Sequence, residues 1–303
     1  MGAIKATIVR FMREKMTDRA AGLTYYSLLS LFPGLLVLVA AVGVFGRYPE
    51  TTDKILQVVG QLGPSSAVET FRRPIEEIVR NKGGAGALLG VGLLGALWAA
   101  SGYVAGFMRA SNEIYEVPRE RRIFRQLPVR VGLTIVMLVL LFAVALGLVI
   151  TGPLAEATGE AIGLESTVVS LWSVVKWPVL VLLTGVAFAV LYFCAPNVRH
   201  RSFSALLPGA ILAVVVWLLG SVAFAVYLAN FGSYNKTYGA LGGVIVLLLW
   251  LFISNNALLV GALFNSERER ARQGKNLDQP LTIELRDPKG KEAAYTHRGY
   301  EAR

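Results

Sequence analysis

The polar residues of this chain that could meet a solute stand inside or beside long uncharged runs, and almost none of them ionises. Tyr25-Tyr26-Ser27-Leu28-Leu29-Ser30-Leu31-Phe32-Pro33-Gly34 sets a proline within the first run, with Tyr26 and Ser30 four residues apart on one helical face. A proline inside a helix removes a backbone hydrogen bond and clashes with the preceding turn, so Pro33 predicts a kink or break near mid-membrane. Carbonyls freed at that depth must be buried in protein or line a wet cavity, as in the broken helices of transporters. The plainer alternative is a packing kink satisfied by serine hydroxyls. Asn112 and Tyr115 follow the second run. Tyr227, Asn230, Tyr234, Asn235 and Tyr238 surround the turn between the fifth and sixth, and Trp250, Asn255 and Asn256 lie within the sixth. Tyr25, Tyr26, Ser30, Pro33, Asn112, Tyr115, Asn230, Tyr234, Tyr238, Trp250, Asn255 and Asn256 are therefore the candidate substrate-lining residues. The competing roles are an aromatic belt at the membrane interface for the tyrosines and helix-to-helix hydrogen bonding for the amides.

Acid–base and metal chemistry lack the residues they need. Cys194 is the only cysteine, and His200 and His297 are the only histidines. An intrachain disulfide, a thiolate cluster and a histidine-rich metal site are excluded. Walker, histidine–carboxylate and serine-elbow motifs are missing, as is a soluble face of interleaved aromatic and basic residues. The chain reads as a non-enzyme with no catalytic residue, no cofactor, no metal and no nucleic-acid partner.

The elements that must position these residues are the uncharged runs themselves, at 23–46, 85–108, 131–152, 171–195, 202–235 and 237–266, in which the only charge is Lys176. A hydrocarbon core about 30 Å thick takes roughly 20 helical residues to cross, and each run reaches that length. Composition agrees, with 54% hydrophobic residues, 17% charged and a mean hydropathy of +0.55. Barrel strands would alternate apolar and polar over about 10 residues, and runs such as 136–150 do not. The fold class is all-α, a polytopic membrane protein with six transmembrane helices, at about 23–46, 85–108, 131–152, 171–195, 207–230 and 239–264.

The net charge of +10 is unevenly shared. Residues 1–22, 109–130, 195–206 and everything after 266 hold 22 Lys and Arg, whereas 47–84, 153–170 and the turn at Lys236 hold 7. The positive-inside rule then puts both termini in the cytoplasm. Arg119, Arg121, Arg122 and Arg125 form a basic cluster suited to anionic headgroups, with topology anchoring as its simpler role. Arg109 and Glu113 have the spacing of a helical pair. Lys176, beside Trp172 and Trp177, is expected to snorkel.

Residues 1–22 predict an amphipathic lead-in, with Ile4, Ile8, Phe11 and Met12 on one side and Lys5, Arg13 and Lys15 on another. The outer loop 47–84 predicts two short amphipathic helices separated at Gly63-Pro64. No cleavable signal peptide is recognisable. Residues 267–303 read as a flexible cytoplasmic tail.

Several of these segments together resemble the YihY/BrkB family of bacterial inner-membrane proteins. The stretches that carry the likeness are Asp18-Arg-Ala-Ala-Gly-Leu-Thr-Tyr25-Tyr26-Ser-Leu-Leu-Ser30-Leu-Phe-Pro33, Asn112-Glu-Ile-Tyr115, Ala195-Pro196, Leu207-Pro208-Gly209-Ala210 and Tyr238-Gly239-Ala-Leu-Gly-Gly243 through Trp250. They span most of residues 15–266 in order. The resemblance implies a six-helix transporter or exporter of a small solute or amphiphile, in a family linked to serum resistance, virulence and envelope lipid traffic and once mislabelled ribonuclease BN. Its partners would be membrane lipids and a solute or lipid cargo, moved without ATP hydrolysis. A lipid-organising or partner-binding envelope scaffold is the alternative. One departure stands out. Relatives often end the last span with Gly-Ala-Glu, where this chain has Gly261-Ala-Leu263-Phe-Asn265, so a coupling role for that acid cannot operate here.

Overall fold

A computed structural model describes residues 2–45, 82–117, 123–149, 166–199, 202–230, 240–277, 279–284, 294–296 and 299–301. Seven α-helices run through the described residues: α1 (Ala3–Arg13), α2 (Met16–Phe45), α3 (Lys82–Ile114), α4 (Ile123–Val149), α5 (Ser166–Cys194), α6 (Leu207–Asn230, entered by a 3-10 turn at Ser204–Leu206) and α7 (Ala240–Arg272). Five of them hold a stretch long and apolar enough to cross a membrane: Gly90–Ile114, Gln126–Val144, Val174–Cys194, Ser204–Ala229 and Gly242–Arg272. The remaining expected run falls in α2, whose side chains from residue 32 onward lie outside the described ones. The two helices expected in loop 47–84 also lie outside the described residues, apart from the start of α3 at Lys82.

Prolines do not interrupt these helices. α2 stays helical past Pro33, so of the expected kink or break the break does not occur, and α4 and α5 contain Pro128 and Pro178. A broken helix in lipid would expose several backbone groups at several kcal/mol each, whereas one proline forfeits a single bond. Pro208 sits in the first turn of α6, where its missing N–H costs nothing.

The chain divides into two compact units, Met1–Thr24 with Val104–Arg303, and Tyr25–Tyr103, so α2 and α3 each contribute to both. Within the Tyr25–Tyr103 unit, the ring of Tyr26 lies against Gly102, where an added Cβ would stand 3.3 Å from Cδ1. Val91, Leu94 and Trp98 are exposed there.

In the larger unit α6 and α7 pair most extensively, α5 packs on α4 and α6, and α1 packs on α7. Its core is built of small and branched residues, among them Ala189, Ala213, Ala257, Leu259, Ala262 and Leu263. α6 and α7 approach so closely that a side chain at Gly209 would collide with Asn265 and the Gly261 carbonyl, and one at Gly261 with the Gly209 carbonyl and Tyr192. Small residues allow such contact where no water is expelled to drive helices together. Large apolar residues point outward instead, including Val139, Leu141, Phe142, Leu182, Ile211, Leu219 and Val222. That arrangement suits a hydrocarbon solvent.

The tail departs from expectation. α7 continues to Arg272, beyond the limit of 264 set from hydropathy, and residues 273–277 and 279–283 fold back on it. Gln273 donates to the Thr282 carbonyl at 2.9 Å, Lys275 Nζ lies 2.6 Å from Thr282 Oγ1, and Leu281 and Ile283 are buried. Ile283–Glu284, Ala294–Thr296 and Gly299–Glu301 form a small antiparallel sheet (β1, β2 and β3).

Candidate functional site

The side-chain amides of α7 bond to the protein itself. Asn255, 4% exposed, donates from Nδ2 to Thr24 Oγ1 at 3.2 Å, and Thr24 donates to the Ala20 carbonyl at 2.8 Å. Asn256 Nδ2 donates to the Phe252 carbonyl one turn back at 2.7 Å. Asn265 clamps the entry of α6, accepting from Gly209 N–H and donating to the Leu206 carbonyl, both at 3.0 Å. Tyr192 reaches from α5 to the Leu258 carbonyl at 2.7 Å. Buried amides and hydroxyls need such partners, and each bond here ties one helix to another or closes a turn.

One concave surface is different. Along α6 and α7, Ser221, Phe224, Ala225, Leu228, Gly243, Val246, Leu247 and Trp250 line an open groove of about 390 Å³. Its wall is almost wholly apolar, and the Ser221 hydroxyl beneath it is buried without a hydrogen-bond partner among the described residues. Trp250 is braced edge-to-face by Trp217 at 6.2 Å, and Trp217 Nε1 donates to Ser254 Oγ at 3.0 Å. A Cβ on Gly243 would meet nothing within 4 Å. Such a groove suits an acyl chain or another apolar body.

A second constellation lies at the charged end of α7. Arg10 of α1 is 1% exposed. Its guanidinium donates to Glu267 Oε1 at 2.5 Å, Ser266 Oγ at 3.2 Å, Glu14 Oε1 at 2.6 Å and the Ile114 carbonyl at 3.1 Å. Arg270, equally buried, pairs with Glu267 at 3.2 Å and with Glu116, and donates to the Gln279 carbonyl. Glu116 also accepts from Leu281 N–H at 3.1 Å. Glu116 holds a positive φ of 55°, and Lys15, after α1, one of 49°. The left-handed conformation costs a non-glycine residue about 1–2 kcal/mol, which two bonds to the Glu116 carboxylate offset. Burial alone would lower the affinity of Arg10 for its proton, but hydrogen bonds and charge from Glu14 and Glu267 outweigh it and raise the pKa. Burial, with help from Glu269, pushes the Tyr115 phenol up. Lys275 is lowered by burial and by Arg270, against the pull of Glu116.

The candidates named from sequence scatter across these settings. Tyr25 is exposed and packs edge-to-face on Tyr26, and Ser30 donates to the Ser27 carbonyl at 2.8 Å. Asn112 is buried and accepts from Asn197 N–H at 2.8 Å, and Tyr115 is 3% exposed. Trp250 alone lines the groove. The side chains of Pro33, Asn230 and Arg125 lie outside those described, as do residues Tyr234, Tyr238, Arg119, Arg121 and Arg122 entirely. Glu113, expected to pair with Arg109 along its own helix, pairs with Arg19 at 2.6 Å. Lys176 does not snorkel into the open but is 8% exposed, its ammonium 5.4 Å from the Trp177 ring centre. Arg10, Glu267 and Arg270 escaped the sequence reading, although charges bordering an apolar run at i,i+3 and i,i+4 spacing were the available signal.

Comparison with known proteins agrees with this architecture. The virulence factor BrkB family model matches residues 7–283, from α1 to the returning segment. YfkH of Bacillus subtilis, which carries a ribonuclease-like name, is 29% identical over 266 residues, covering 88% of this chain and 94% of that protein. A UPF0761 membrane protein of Aggregatibacter aphrophilus is 28% identical over 273 residues, covering 89% and 94%. Another, of Alkalilimnicola ehrlichii, is 30% identical over 267 residues, covering 84% and 55%. No solved structure is significantly similar. A match of this extent to a chain of long apolar helices identifies a multi-pass membrane protein that belongs to the virulence factor BrkB family.

Proposed function

We propose that this protein sits in the bacterial inner membrane with both termini in the cytoplasm and moves an amphiphile, a lipid or lipid-like molecule, without hydrolysing ATP. It is not an enzyme on this reading, and the ribonuclease-like name of the Bacillus relative does not extend to it. The observation that supports cargo of this class is the α6–α7 groove, whose accessible wall is almost wholly apolar. A charged solute would need compensating charges along such a wall, and none lines it. The acid that relatives place in the last span is Leu263 here, fully buried in the core, which also disfavours proton coupling at that point.

The test is reconstitution of the purified protein into liposomes carrying a fluorescent phospholipid in one leaflet. Movement of the probe well above that in protein-free vesicles is the expected result. No movement, from protein that remains folded and monodisperse, would overturn the reading. That outcome would favour the second reading, an envelope scaffold, which has its own support in Asn255, Asn256 and Asn265. Their bonds to the protein make them structural ties rather than lining for a polar cargo.

A further inference from the structure

α1 is amphipathic in the opposite sense to a soluble helix. Its buried side carries Ala6, Thr7 and Arg10, and its exposed side carries Ile4 at 61%, Ile8 at 53% and Met12 at 75% exposure. Spacing of four aligns these three apolar residues in one stripe, with Phe11 at its edge. Lys5 and Arg13, both exposed, flank the stripe, and Lys15 follows in the turn. Two residues, Glu14 and Lys15, separate α1 from α2, which begins at Met16 and carries the first uncharged run from residue 23. Meanwhile Arg10 fixes the helix's rotation from behind, through Glu267, Ser266 and the Ile114 carbonyl.

We propose that α1 lies in the plane of the membrane surface, its Ile4–Ile8–Met12 stripe sunk into the headgroup–acyl boundary of an anionic bilayer. Lys5, Arg13 and Lys15 reach outward to lipid phosphates. Three features choose a lipid surface over a protein partner. The apolar stripe is narrow and flanked by cations, as in helices that bind acidic membranes. Packing on the charged end of α7, just past its apolar run, places it at the depth where such helices rest. The ion network on its other side leaves α1 one rotational setting, so the stripe cannot turn inward. This inference is independent of what the groove carries.

The experiment uses the full chain in nanodiscs of mixed zwitterionic and anionic phospholipid. Spin labels are placed one at a time at Ile4→Cys, Ile8→Cys, Met12→Cys and Arg13→Cys in a Cys194→Ser background. Labels at positions 4, 8 and 12 should be at least threefold more accessible to oxygen than to a water-soluble nickel chelate, with the order reversed at position 13. High chelate access at all four would place α1 in water and overturn the proposal. Low access to both reagents at 4, 8 and 12 would overturn it in favour of contact with a second protein surface. Hydrogen exchange of the unsubstituted protein is the second readout. Protection of the α1 amides should rise at least fivefold between purely zwitterionic and anionic nanodiscs, and equal protection would contradict the role of the cations.

Discussion

Near one end of α7, Glu267 and Arg270 are almost wholly buried and each meets opposite charge. Roughly 30 Å away along the same helix, Leu247, Trp250 and Gly243 face an open groove. The ion network spends strong interactions inside the protein, joining α1, the end of α3, α7 and the returning segment. The groove leaves its one buried hydroxyl unspent. Groups already satisfied by protein hold a structure together, and a concave surface left incomplete is where another molecule can add contacts. We therefore read the charged end as the fastening and the groove as the working surface.

The comparison breaks most readily at Arg10. Removing one member of a buried ion pair leaves its partner uncompensated, at about 3–5 kcal/mol. Arg10→Met should lower the unfolding free energy by that much, read as a lower denaturation midpoint, and Arg10→Met with Glu267→Met should recover at least half of the loss. Equal midpoints for the single variant and the parent would mean that the network fastens nothing. Next comes Gly261→Ala, whose methyl meets the Gly209 carbonyl. Forced repacking of this kind costs about 1–3 kcal/mol, read by thermal unfolding in detergent. Smaller still is Asn255→Leu, which removes the amide–Thr24 hydrogen bond at about 0.6–1.7 kcal/mol. Lipid movement should be unchanged in this variant, and a loss of movement without loss of stability would restore Asn255 as a cargo contact.

The spans were legible because a missing charge over twenty residues is a signal that lipid imposes directly. The tail limit was misplaced for the same reason. Charges after residue 266 read as solvent-facing, yet Glu267 and Arg270 neutralise partners instead, and α7 continues through them. Arg10 could not be found from its neighbours, since its main partner lies 257 positions away. Its helix was legible as amphipathic, while the choice of Arg10 as the inward anchor depended on that distant pairing. Trp250, a candidate from its place in the sixth run, lies on the groove's wall, but Ser221 and Phe224 had no local pattern to mark them. Asn112 illustrates the converse. Polarity beside a span marked it as a candidate, and its carbonyl oxygen is taken by Asn197 N–H.

Gly243→Leu separates fastening from function most directly. Open space receives the new side chain, and replacing a helical glycine adds stability of about 1 kcal/mol, so the protein should fold at least as well while its groove is filled. In vesicles carrying a fluorescent phospholipid in one leaflet, the account predicts at least a tenfold slower transfer than with the parent protein, at an equal or higher melting temperature. Unchanged transfer by a well-folded Gly243→Leu protein would contradict the claim that the groove is where cargo moves.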